Sequence, residues 1–239
     1  SKEELVKEAL EENVRSVEEV IKLLKDALDE NLKVVERVIR ELKRALERVK
    51  DVIRKLIEQR ELLRRAEEEL DRLEEELKRI LDEYRKRVRE IKEKLKKLLE
   101  DIRRVHEELE RRLRREGPAE RLLKELKELN KRIREMTERI NREVRELNRA
   151  LLEKIEDLVR RLVELLERVK ERLKDNGRLD KKVADELKKL LDELKKILEE
   201  IRRMLEEANR KHDDIVRDIR RVLEENDRKL EKIADDIRR

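Results

Sequence analysis

The stretch Ile57-Glu58-Gln59-Arg60-Glu61-Leu62 decides how this chain folds. It contains no Gly, Pro, Asn, Asp or Ser, the residues that build turns. Read as helix, it makes the first 116 residues one rod of ~174 Å at 1.5 Å per residue. Read as a turn, it divides them into two helices of nearly equal length. The apolar seam on either side runs Val49, Val52, Leu56, then Gln59, then Leu63, Ala66, Leu70, Leu73, Leu77, Ile80 and Tyr84. Its spacing alternates three and four through the midpoint, where a loop would normally reset the phase. The expectation is therefore an unbroken helix over about 2–115. The alternative is a turn at 58–61.

Working outward, backbone punctuation falls at only two places, Gly117-Pro118 and Asn176-Gly177. Gly117 suits the left-handed residue that ends a helix, and Pro118 suits the first turn of the next. Asn176-Gly177 is a second stop, with Asp180 as N-cap of the last helix. Ser1-Lys2-Glu3-Glu4 reads as a capping box. The predicted helices are about 2–115, 119–174 and 180–238. From Leu5 to Ile57 the apolar stripe is wide, broadened by Val14, Ile21, Leu28, Leu32, Ile39, Leu46 and Ile53. This pattern suits a helix among several neighbours. From Ala66 to Leu113 it narrows toward a two-position coiled-coil seam.

Composition bounds function. Charged residues are 56% of the chain, against ~25% in ordinary soluble proteins. Apolar residues recur at helical spacing throughout, which argues against disorder. The net charge of +5 comes from 70 basic and 65 acidic residues, interleaved within single turns. The locally basic run Arg111-Arg112-Leu113-Arg114-Arg115 ends a helix, where cations suit the dipole. With one aromatic residue, Tyr84, and no recognition motif, nucleic acid is not an expected partner. The longest apolar run is Ala150-Leu151-Leu152, far short of the ~20 residues of a membrane span. No signal-peptide pattern opens the chain, so the expectation is a soluble, cytoplasmic protein.

No catalytic, cofactor or metal site is encoded. Two glycines exclude a Gly-rich phosphate loop. Ser1, Ser16 and Thr137 are the only hydroxyl nucleophiles beside Tyr84, and Cys is absent. Metal-binding bundles use Glu-x-x-His pairs, but Arg103 and Asn209 stand three residues before His106 and His212. No enzyme activity, cofactor or small-molecule substrate is expected.

Neutral polar residues stand out against this charged alphabet. They are Asn13, Ser16, Asn31, Gln59, His106, Asn130, Thr137, Asn141, Asn148, Asn209, His212 and Asn226, apart from Ser1 and the turn residue Asn176. Asn is a mediocre helix former, so its repeated mid-helix use wants a reason. Folding the chain at 117 and at 176–177, and the long helix about 59, sets Asn13 level with His106, Asn130 and Asn226. Ser16 lies one turn away. Asn31 falls near Asn148 and Asn209, and Asn141 opposite His212. The reading is a set of buried hydrogen-bonded layers that penalise misregistered packing.

On these features the whole chain resembles a computationally designed helical bundle with buried hydrogen-bond networks. That resemblance implies a structural scaffold with no natural activity, whose layers specify register and assembly. Spectrin-like rods usually carry a core Trp, which is missing, and apolipoprotein-like rods carry Pro at repeat boundaries, where this chain has only Pro118. The expected fold is an elongated antiparallel all-α bundle, four helices in cross-section. The expected partner is a second copy: an intertwined homodimer in which residues 1–57 of one chain complete the bundle of the other, with Gln59 near the dyad. A monomer closed at 58–61 is the alternative assembly. The alternative functions are an interaction module offering residues 1–57 to another chain, and an assembly made pH-sensitive by His106 and His212.

Overall fold

A computed structural model describes residues 1–239 and contains four helices and no strand. They are α1 (Lys2–Leu56), α2 (Arg60–Glu116), α3 (Glu120–Asp175) and α4 (Lys181–Arg238). The unbroken helix over 2–115 is thus corrected to two helices. Residues 57–59 turn the chain, and α1 takes the fourth place in its own chain's bundle.

This turn uses none of the usual devices. No residue other than Gly117 (φ 78°) and Gly177 (φ 70°) has a positive φ. The Ile57 amide still donates to the Ile53 carbonyl at 2.9 Å, and the Leu63 amide donates to the Gln59 carbonyl at 3.0 Å. Only a few torsions between these two bonds redirect the chain. Ile57 is buried and anchors the turn from the core side, while Glu58 and Gln59 are exposed. The core face at the end of α1 is therefore Val49, Ile53 and Ile57; Val52 and Leu56 are only half-buried. Gln59 occupies a turn, where its Oε1 accepts from Asn176 Nδ2 at 2.9 Å. Beside it, Glu58 pairs with Arg178.

The other ends obey their chemistry. The Gly117 amide closes onto the Leu113 carbonyl at 3.0 Å, and the Arg178 amide onto Leu173 at 2.8 Å. Asp180 Oδ1 accepts from the Val183 amide at 2.9 Å, and Ser1 Oγ from the Glu4 amide at 3.3 Å. Each side chain satisfies one of the donors that a helix start leaves unpaired.

The chain forms two compact units, and every helix contributes to both. The first comprises residues 1–31, 87–145 and 210–239; the second comprises 32–86 and 146–209. Within the second unit, Lys50–Asp71 and Arg54–Glu67 join α1 to α2. Glu69–Arg168, Glu76–Arg161 and Glu83–Lys154 join α2 to α3 at every seventh residue. Glu156–Arg202 and Arg48–Glu193 complete the ring through α4. Partner numbers rise on one helix as they fall on the next, so neighbours are antiparallel. Within the first unit Glu18–Arg103, Arg112–Glu125, Glu138–Arg220 and Glu12–Lys229 give the same ring. Exposed pairs of this sort contribute ~0–1 kcal/mol each, so they direct neighbours more than they stabilise them.

Burial separates the helices into two kinds. In α1 consecutive residues are both buried at Ala9-Leu10, Val20-Ile21, Ala27-Leu28, Val38-Ile39 and Ala45-Leu46. In α3 the same holds at Leu122-Leu123, Leu129-Asn130, Leu158-Val159 and Leu165-Leu166. In α2 and α4 no two consecutive residues are buried. The wider stripe puts more of α1 and α3 than of α2 and α4 into the core. No large hydrophobic side chain is left exposed.

Candidate functional site: the buried polar layers

Every helix sends one polar side chain to a common point in the first unit. Asn13 of α1 is the hub. Its Oδ1 accepts from Asn130 Nδ2 of α3 at 2.9 Å and from Asn226 Nδ2 of α4. Its Nδ2 donates to His106 Nε2 of α2 at 2.8 Å. The opposite ring nitrogen of His106, Nδ1, lies 2.8 Å from the Ile102 carbonyl. A carbonyl only accepts, so Nδ1 carries the proton and Nε2 offers a lone pair to Asn13. The centre of the layer is buried, with Asn13 and Asn130 both at 0% exposure. An apolar cluster that includes Val6, Leu10, Leu109, Leu123, Leu126 and Leu230 seals it on the side of the Gly117 turn.

The layer reaches solvent through a carboxylate. Asn130 Nδ2 also donates to Asp227 Oδ1 at 3.3 Å, and Arg134 holds the other Asp227 oxygen at 3.0 Å. A second set in the same unit repeats the motif. His212 Nδ1 donates to Asn141 Oδ1 at 2.8 Å, Asn141 Nδ2 donates to Asp213 at 3.2 Å, and Arg145 clamps Asp213. His212 Nε2 is buried without a partner, as is Asn130 Oδ1. Unsatisfied buried acceptors cost of order 1–3 kcal/mol each, so these layers are bought at some expense of stability.

The second unit holds a further set. Tyr84 OH donates to Asn148 Oδ1 at 2.6 Å, and Asn148 Nδ2 donates to Asn209 Oδ1 at 2.8 Å. Together these bonds place Asn13, His106, Asn130 and Asn226 in one layer, Asn141 with His212 in another, and Asn148 with Asn209 in a third. Asn31 is buried within the first unit. Ser16 is half-buried and joins none of these layers. Thr137 bonds its own helix, donating to the Ile133 carbonyl at 2.8 Å.

Three members escape a reading of neutral polar residues alone: Asp213, Asp227 and Tyr84. Each Asp directly succeeds a core polar residue, His212 or Asn226. Asp is a poorer helix former than Glu, and its placement there is a usable signal. Tyr84 sits on the apolar seam, and its hydroxyl is invisible to a count of hydrophobic positions.

Burial lowers the pKa of both imidazoles. For His106 desolvation lowers the pKa, opposed by the bond to Ile102 and by Glu110 and Glu18. For His212 desolvation again dominates, with Asp213 opposing and Arg145 reinforcing. No group of three or more His, Cys, Asp or Glu side chains is arranged to hold a metal ion. A surface groove between α1 and α2 is lined by Glu18, Lys22, Asp29, Lys92, Lys96 and Arg103. It carries charges of both signs, and Asp29–Lys92 and Glu18–Arg103 are already paired. No helix is long and apolar enough to cross a membrane. No family model, curated protein or solved structure matches the chain.

Proposed function

We propose that this chain is a non-catalytic structural scaffold of the designed helical-bundle kind, in which buried polar layers specify which helices meet and at what height. One observation carries the reading: four helices each supply one side chain to the bonds around Asn13. Sliding any helix by one turn strands a buried donor or acceptor, at ~1–3 kcal/mol for each group left unpaired. An all-apolar layer imposes no such penalty, because hydrophobic contact is non-directional.

The test replaces the whole layer: Asn13→Leu, His106→Leu, Asn130→Leu and Asn226→Leu together. Removing all partners at once leaves nothing unsatisfied, so the melting temperature should hold or rise. Amide NMR spectra should broaden or double as alternative registers become populated. A variant that keeps one sharp set of resonances and a single species would overturn the register role.

A further inference from the structure

We propose that residues 57–59 are a hinge through which α1 exchanges onto a second copy of this chain, forming a swapped dimer. The inference is independent of the scaffold reading, because it rests on the three turns rather than on the polar layers. Two turns are written in poor helix formers. Gly117 and Gly177 hold positive φ values of 78° and 70°, and Pro118 comes directly after the first. A Pro breaks a helix interior, and a Gly there destabilises it relative to Ala. The third turn contains only residues with negative φ and helix-compatible side chains. Its flanking bonds, Ile57 to Ile53 and Leu63 to Gln59, already have the helical i to i−4 pattern.

The start of α2 also lacks a side-chain cap. Ser1 and Asp180 cap α1 and α4. Gln59 stands at the corresponding place before α2 and instead bonds Asn176. Straightening the linker would pair the amides that the turn leaves open, since a continuous helix satisfies each in turn. It would give up the exposed Asn176–Gln59 and Arg178–Glu58 contacts. Once released, α1 carries a wide buried stripe, including Val20, Ile21, Val38, Ile39, Ala45 and Leu46. Only a surface that matches this stripe and the polar Asn13 would accept it. The α2–α4 surface of a second copy is that surface, residue for residue. Exchange of identical elements makes no new interface to optimise.

Closure within one chain wins in dilute solution, because a short linker holds α1 at an effective concentration on the order of millimolar. The dimer should therefore grow with protein concentration during refolding. The experiment refolds the full chain from denaturant over a concentration series and measures mass by light scattering after size exclusion. The monomer is 29.4 kDa, and the swapped species has twice that mass. Gln59→Gly should depress the dimerisation constant roughly 30-fold relative to Gln59→Ala. Each of two hinges loses the roughly fivefold helix preference of Ala over Gly.

Exchange itself is read by Lys50→Cys with Asp71→Cys, the α1–α2 pair bridged at 2.7 Å, in a chain with no other Cys. A short bis-maleimide should link two chains in the dimer fraction and one chain in the monomer fraction. Equal dimer yields for Gln59→Gly and Gln59→Ala would overturn the proposal. So would a double-mass species whose cross-links all remain within single chains, or the lack of any dimer in Gln59→Ala at millimolar protein.

Discussion

The two units bury the same kinds of aliphatic residue but differ in what interrupts them. Asn13, Asn31, His106, Asn130, Thr137, His212 and Asn226 are buried in the unit formed by 1–31, 87–145 and 210–239. The unit formed by 32–86 and 146–209 buries one such amide, Asn148, together with the hydroxyl of Tyr84 bonded to it. The polar-rich unit contains one turn, at Gly117-Pro118; the apolar unit contains two, at 57–59 and 176–180. Directional bonds are concentrated in the unit with fewer turns to fix the height of one helix against the next. In the apolar unit the hairpins already limit slippage, and the core is left to provide stability.

The largest expected effect tests the stabilising side of this contrast. Leu158 is at 0% exposure in the apolar unit. Leu158→Ala removes buried methyl groups and leaves a cavity, which costs ~2–5 kcal/mol. Urea unfolding measures it as a shift in midpoint at constant slope. Asn13→Ala comes next. It deprives Asn130, Asn226 and His106 of a common partner, at roughly 1–3 kcal/mol, with water filling part of the gap. Its signature is location: amide exchange should accelerate across 1–31, 87–145 and 210–239 while the other unit keeps its protection. If Asn13→Ala proves costlier than Leu158→Ala, or speeds exchange equally in both units, the division of labour fails.

The chemistry of each element explains how far it could be read in the sequence. Helices ending at Gly117 and Asn176-Gly177 were legible because a left-handed backbone calls for Gly, and the sequence has only two. The turn at 57–59 was hidden because it needs no positive φ and is written in helix formers. The even spacing through Gln59 was misleading for a related reason. The buried face at that point is Val49, Ile53 and Ile57, one step round from Val52, Leu56 and Gln59. Two antiparallel helices that meet the same core keep compatible spacings on both sides of a short loop. The layer around Asn13 was legible by counting from the turns, because axial rise is constant along a helix. Counting gives height but not direction, so it could not separate Ser16, which joins no layer, from Asn226, which does. Nor could it reveal the hydroxyl of Tyr84 or the carboxylates of Asp213 and Asp227, whose roles depend on which way a side chain points.

The smallest effect sharpens the contrast through pH. Both histidines lie in the polar-rich unit. Desolvation lowers each pKa below its ordinary value of 6.5, more than the facing carboxylates raise it. Those carboxylates are Glu18 of α1 and Glu110 of α2 at His106, and Asp213 of α4 at His212; Arg145 of α3 adds positive charge at the latter. A base with a lowered folded-state pKa binds its proton more readily in the unfolded chain. Its contribution to stability is complete above about pH 6.5 and is lost as pH falls from there through the folded-state pKa. The two sites should respond differently. Protonated His106 would present N–H to the amide nitrogen of Asn13, which also donates, so the central bond is lost unless Asn13 turns its amide over. Turning it over would break the bonds from Asn130 and Asn226. His212 Nε2 has no partner to lose, so protonation there costs mainly desolvation. Lowering pH from 7 to 5 should reduce the melting temperature modestly and speed exchange first in the polar-rich unit. His106→Gln should blunt that pH response more than His212→Gln. Equal blunting by both substitutions would show that desolvation alone, and not the bond to Asn13, couples the layer to protons.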